Sequence, residues 1–325
     1  MMAKKRKKII VVRAAAAAIP VTCAFLLAGC QWTPFGTTTN SEGVGKEKLI
    51  TDAVQKITSV RSMDTDIDAK MTAKTGVSGV SLGVNAVTDL NVKSAKQDNA
   101  SHTMGNVTFE LLGENGSLDI ETYSLDKDNT QYTYIRQSNA LSGDTGWIVV
   151  KDSKKEEGND LKSQNAAAVG QISFGDLIGL YTTARHSLEG LTIRDGTHSK
   201  DGKECYVVEG VLKGEDISSL VDGLGFAMPG VPGLPSPDLS KTDVDVTMYF
   251  EKETRDPYII ELKIPEVEAV QEDSLLTFAI DDIDATIRFN SFDANNEIKV
   301  PEEVEKSAIV SVDYQELQGL LNGNR

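Results

Sequence analysis

Met63-Asp-Thr-Asp-Ile-Asp-Ala-Lys-Met-Thr72 alternates without a break: Met63, Thr65, Ile67, Ala69 and Met71 on one side, Asp64, Asp66, Asp68, Lys70 and Thr72 on the other. A period of two puts successive side chains on opposite faces of a strand, here one wet and acidic and one covered. The pattern returns late in the chain. Val244, Val246, Met248 and Phe250 share one face of a strand over 242–251, and Ile283, Ala285, Ile287 and Phe289 one face of a strand over 276–290. Asp243, Asp245, Asp282, Asp284 and Arg288 mark the opposite faces. Strands are also predicted near 80–93, 103–112, 117–125, 130–137, 146–151, 188–194, 204–212 and 257–264. The breaks at 113–116, 126–129 and 142–146 have turn composition and are too short for crossovers, so neighbours pair antiparallel.

Helices are few. Leu49, Ile50, Ala53, Val54, Ile57 and Val60 recur at helical spacing over 46–60. A second helix starts at Ser173, whose hydroxyl caps the amide of Asp176 while Phe174, Leu177, Ile178 and Tyr181 face inward. Short helices are expected at 215–221 and 314–321. The sum is an α+β domain built on one large antiparallel sheet, whose apolar face needs helices, another sheet or a ligand against it.

The N-terminus reads as an export signal. Lys4, Lys5, Arg6, Lys7, Lys8 and Arg13 precede an apolar run from Ala14 to Ala28, too short to span a bilayer, and Leu27-Ala-Gly-Cys30 resembles a lipobox. In that motif the cysteine thiol is diacylated and the signal is cut away in front of it. Two acyl chains, at about 0.8 kcal/mol per buried methylene, anchor stably where one does not. Residues 1–29 are thus expected as signal peptide, and the polar stretch 30–45 as a flexible tether. The domain follows at 46–308, and a tail with a short helix at 309–325.

Loss of the six basic signal residues leaves 27 Lys and Arg against 49 Asp and Glu, a formal charge of −22. That sign repels nucleic acid and anionic head groups, so adhesion to a membrane must come from the lipid on Cys30. Cys23 leaves with the signal and Cys30 is acylated, so Cys205 has no intrachain partner; its apolar surroundings predict a buried strand thiol.

Two patterns resemble catalytic or metal sites, and both fail. Gly79-Val-Ser-Leu-Gly83 matches the nucleophile elbow of hydrolases, but Ser81 lacks a buried strand before it and a helix after it, and nothing places His102, His186 or His198 beside it. Asp64, Asp66 and Asp68 open like a calcium loop, yet Ala69 stands where glycine is needed and Thr75 where a bidentate acid is needed. No metal, cofactor or catalytic site is assigned. Gly223 to Pro237 holds four of the nine prolines and no charge, with Phe226, Met228, Val231 and Leu234 exposed to choice. It is either a connection packed over the barrel mouth or a mobile lid or membrane-touching loop.

Taken together, the chain resembles the lipoproteins typified by LppX and LprG of mycobacteria, which share the half-barrel fold of LolA and LolB. The likeness is one of layout. It joins Cys30, the tether, the helix ending in Ile57-Thr-Ser-Val-Arg-Ser62, the long hairpins, Gly146-Trp-Ile-Val149, Met248-Tyr-Phe-Glu-Lys-Glu-Thr-Arg-Asp-Pro257 and Ile298-Lys-Val-Pro-Glu-Glu-Val304. The resemblance implies a sheet curled into an unclosed half-barrel over a few helices, enclosing an apolar cavity for acyl chains. The tail and the proline-rich segment depart from the usual pattern.

The expectation is a non-catalytic lipoprotein held on the extracytoplasmic side of the cell membrane, with a lipid or other hydrophobic ligand as its partner. Val244, Val246, Met248, Phe250, Ile283, Ile287 and Phe289 would bind it, and Phe226, Met228, Val231 and Leu234 would close over it. The alternative is a surface or envelope-stress sensory lipoprotein whose filled interior leaves its outside to bind an envelope protein.

Overall fold

A computed structural model describes residues 39–77, 80–111, 113–128, 130–139, 143–153, 173–218, 220, 239–269, 276–294 and 297–311. Residues Thr37–Arg325 form a compact unit. Helix α1 (Lys46–Ser59) leads into a meander of β1 (Ser62–Val77), β2 (Val80–Ala95), β3 (Ala100–Leu111), β4 (Glu114–Lys127), β5 (Thr130–Asn139), β6 (Gly143–Asp144) and β7 (Ile148–Ser153). Helix α2 (Phe174–His186) opens the second half, with β8 (Leu191–Ile193), β9 (His198–Lys200), β10 (Lys203–Lys213), β11 (Asp243–Glu251), β12 (Pro257–Ile264), β13 (Val267–Ala269) and β14 (Leu276–Phe292). Helix α3 (Glu302–Ser307) and β15 (Ile309–Ser311) end it.

All fifteen strands belong to one sheet, in the order β15-β7-β5-β4-β3-β2-β1-β14-β12-β11-β10-β8, with β6, β9 and β13 at its margins. Its edges, β15 and β8, do not meet among the described residues, so the sheet is an unclosed half-barrel. The pairing is antiparallel as expected, except that β15 runs parallel to β7. The joint between the two meanders is β1, which pairs with β2 on one side and β14 on the other. Register shifts at Asp64/Thr65 and Thr72/Ala73 in this joint, and at Tyr249/Phe250 in β11, bend the strands and curl the sheet.

Alternation sorts the faces as the sequence requires. One inward row runs across ten strands: Ile193, Val208, Met248, Ile260, Ile287, Ile67, Leu90, Gly105, Ile120 and Gln137. The helices pack on this side, with Leu49, Ile50, Ala53 and Ile57 of α1 and Leu177, Leu180, Tyr181 and Ala184 of α2 in the same core cluster. The capping box at the start of α2 forms: Ser173 Oγ accepts from the Asp176 amide, and the Asp176 carboxylate accepts from the Ser173 amide. Gly105 is required by close approach, because a Cβ there would lie 2.0 Å from the Asp89 carbonyl oxygen.

The structure adds detail at three of the expected boundaries. Within the stretch 30–45, Asn40 Oδ1 accepts from the amides of Glu42 and Val44 and Thr39 bridges Gly45, so residues 39–45 make a turn that leads into α1. Beyond residue 308, backbone pairing with β7 makes a strand of Ile309–Ser311. Over the helix expected at 215–221, a 3-10 turn at Gly214–Ile217 passes into helical residues at Ser218 and Leu220. Residues 1–38, 154–172, 221–238 and 312–325 lie outside the described residues, and with them Cys30, the proline-rich segment and the helix expected at 314–321.

The convex face is less wet than the acidic pattern implied. Cys205, Val207, Tyr249, Tyr258 and Ile259 form a second buried cluster on it. Lysine stems and ammonium groups roof the cluster, with Lys203 Nζ 4.2 Å from the Tyr258 ring centre and Lys200 Nζ 5.2 Å from that of Tyr249. A third cluster sets Val304 of α3 against Tyr134 and Val149.

Two outcomes check this architecture. Gly105→Ala should lower the urea midpoint by the equivalent of about 1–3 kcal/mol at unchanged slope, as overpacking between paired strands does; an unchanged midpoint would refute the close approach. Burial pushes the Cys205 thiol up to about 11. In the Thr37–Arg325 unit it should ignore Ellman's reagent at pH 8 and react fully once guanidinium unfolds the chain; prompt native labelling would contradict the burial.

Candidate functional site

The residues expected to hold a ligand come together as one wall. Strand β12 lies between β11 and β14, and the register aligns Val246 with Leu262 and Ala285, and Met248 with Ile260 and Ile287. Val244, Val246, Met248, Phe250, Ile283, Ile287 and Phe289 are each at most 3% exposed. The helices lie against this wall: the Tyr181 ring of α2 sits tilted over Phe250, with centroids 6.1 Å apart. Burying such side chains contributes about 1.5–3 kcal/mol each, so the wall is core as well as candidate site.

The helices are short for the surface they face. The 14 residues of α1 span about 21 Å. The 17 of β14 span about 56 Å. Several of the inward side chains are small, as at Ala69 and its register partner Ala285.

The facing half of the interior differs in chemistry. Strands β1–β5 bury Thr65, Thr88, Thr103, Thr122, Ser124 and Gln137 on their inward side. Thr65 Oγ1 donates to the Val92 carbonyl at 3.2 Å. Two buried hydroxyls, Tyr181 OH and Thr122 Oγ1, have no hydrogen-bond partner among the described residues. Burial holds the Tyr181 phenol in its protonated form, so it is a donor. The sequence placed Tyr181 facing inward. It gave no sign that the oxygen would be unpaired, because that depends on what stands opposite.

The other candidates are placed as follows. Ser81 lies within β2, paired with Gly76 of β1, so the strand-to-helix turn of a nucleophile elbow is absent. His102 pairs with Lys93, twelve residues along β2 from Ser81, or about 40 Å. It bonds Glu121 at 3.1 Å and stacks on Tyr123. His198 approaches the Asp195 carbonyl, and His186 ends α2. Asp64 and Asp66 both accept from Asn91 Nδ2 at 2.8 Å, which ties them into the convex face. Burial and Asp89 raise the pKa of Asp68. Among the described residues no three potential metal ligands converge.

Open grooves of about 600 Å³ and 420 Å³ lie at the tips of β2–β4, beside Val87 and Phe109, and at the end of α2, beside Arg185 and Val211. None of the seven wall residues lines either groove. Among the described residues no helix is long and apolar enough to cross a membrane.

No protein-family model matches the chain, and no curated protein matches it. Among solved structures it is similar to LprF from Mycobacterium bovis, at 12% identity and a TM-score of 0.39, over 79% of this chain and 95% of that one. A DUF1329 family protein from Desulfovibrio piger matches at 12% identity and a TM-score of 0.22, over 78% and 93% of the two chains. A beta-barrel-like DUF1849 protein from Brucella abortus matches at 10% identity and a TM-score of 0.23, over 70% and 98%. The architecture rests on the strand order and register and not on these likenesses.

Proposed function

We propose that this chain is a lipid-anchored extracytoplasmic protein that binds a lipid or other hydrophobic ligand in the half-barrel, without covalent chemistry. The observation that carries the reading is the mismatch, among the described residues, between a long apolar inward face and the short helices α1 and α2 set against it. A sheet of this length buries its apolar side by mutual packing only where its side chains can meet, and an acyl chain is the natural filler elsewhere. Transfer of apolar surface, at about 25 cal/mol per Å², would drive binding, and the wall from Val244 to Phe289 would supply it. Anchoring is assigned to Cys30, whose motif supports diacylation.

A second reading is favoured by one specific observation: every described wall side chain is already packed, at no more than 3% exposure. An interior filled by its own side chains would leave the outer surface as the working face, turned to another envelope protein.

Native mass spectrometry of the Thr37–Arg325 unit purified from a bacterial host separates the two. The lipid reading expects a stoichiometric acyl-chain adduct, and lipid added at 100 times Kd should stabilise the fold by about 2.7 kcal/mol. A clean apo mass with no uptake of added lipid would sink it in favour of the protein-partner reading. For the anchor, the full chain carrying Cys30→Ser should lose incorporation of labelled palmitate and leave the membrane fraction. Continued labelling of that variant would refute the assignment.

A further inference from the structure

We infer that the groove at the end of α2, with Arg185, His186, Lys213 and the exposed Val211, is the face that this domain turns to the phospholipid surface of the bilayer. The inference rests on the Cys30 anchor assigned above and adds which side of the domain meets the membrane.

The arm before α1 fixes where the chain enters the domain. Asn40 and Val44 are buried, the Ser41 amide donates to Asp195 Oδ1 at 2.6 Å, and the Tyr206 hydroxyl donates to Glu42 Oε2 at 2.8 Å. Thr39 bridges Gly45, so the entry point lies beside the first turn of α1. There Lys46 Nζ donates to the carbonyls of Leu188 and Leu191 at 2.6 and 2.5 Å, and residues 187–190 line the groove. Thr39 stands nine residues after Cys30, a reach of about 30 Å at full extension. An acylated Cys30 therefore keeps this corner of the domain close to the head groups.

The chemistry of the corner suits that position. Arg185 and His186 are exposed in the last turn of α2, and Arg185 makes no ion pair among the described residues. Lys213 bonds Asp243, and Glu189 is the one carboxylate among the described residues that line the groove. Val211 is 39% exposed and points outward from β10 on the same side as Lys213. A guanidinium forks onto phosphate oxygens, and the methyls of Val211 lose contact with water when a surface covers them. In so acidic a chain this pull is too weak to recruit the domain from solution. On a domain already tethered it sets the orientation.

The test reconstitutes the lipidated chain in vesicles of phosphatidylethanolamine and phosphatidylglycerol that carry a head-group spin-labelled lipid, and reads the quenching of bimane attached at Thr192→Cys or at Met104→Cys. Thr192 is exposed on β8, two residues from the groove lining, whereas Met104 is exposed on β3, seven strands along the sheet. Cys205 is buried and stays unlabelled. Quenching should be strong at 192 and weak at 104. Arg185→Gln should lower the ratio of docked to undocked domain about fivefold, the effect of one cation at an anionic surface. Salt at about 1 M, where the Debye length falls to about 3 Å, should act in the same direction, as should Val211→Ser. Equal quenching at both positions, or quenching at 192 that survives Arg185→Gln and high salt, overturns the docking face while the anchor stands, since the chain still floats with the vesicles. A lower urea midpoint in Arg185→Gln with undiminished quenching gives Arg185 a helix-end role only and likewise overturns it. A wild-type chain that fails to float with the vesicles overturns the anchor and the docking face together.

Discussion

The pairing of β1 with β14 is the constraint on which the molecule depends. Everything from β2 to β7 is built outward from one edge of β1, and everything from β12 to β8 outward from one edge of β14. The two strands are separated by most of the chain, so this ladder closes the longest loop in the fold. It also sets the register for both halves: Ile67 opposite Ile287 and Ala69 opposite Ala285 carry one inward face across the joint. A slip of one residue would turn that face outward and put Asp66 and Asp68 against the helices. The two register shifts within the ladder give the curl, so the strand that joins the halves also shapes the interior.

That interior has two characters. The wall of β10–β14 is aliphatic and aromatic and is held against α1 and α2, whereas the wall of β2–β5 mixes aliphatic side chains with buried threonines. An ordinary core would pair or remove the hydroxyls of Tyr181 and Thr122. Among the described residues both oxygens lack a partner, which sets this half of the interior apart from the aliphatic wall. On the convex face, lysines roof Tyr249 and Tyr258 over a buried cluster of their own.

Much of this was legible in the sequence, for definite physical reasons. A period of two marks any strand with one wet face, so β1, β11 and β14 could be read residue by residue, and the Ser173 cap located α2. Strands of two or three residues, such as β6, β9, β13 and β15, carry too few side chains to show a period. The convex cluster escaped the pattern because Cys205-Tyr206-Val207-Val208 is buried on both faces, and an unbroken apolar run does not report which side is covered or by what. The packed end of the tether depends on Asn40 finding two amides, a contact that composition does not announce.

For the candidate site, the sequence supplied the wall and omitted the donors. Val246, Met248 and Ile287 declare themselves by hydropathy and spacing. The unpaired state of the Tyr181 oxygen depends on three-dimensional surroundings that no local pattern encodes.

The central claim is that a lipid enters the concave side, and methyl-resolved NMR measures this most directly. With isoleucine methyls labelled in the Thr37–Arg325 unit and a long-chain glycerolipid added, the account predicts intermolecular NOEs from the acyl chain to Ile283 and Ile287. NOEs and shift changes confined to residues around the surface grooves at Val87 or Val211, with Ile283 and Ile287 unmoved, would contradict it.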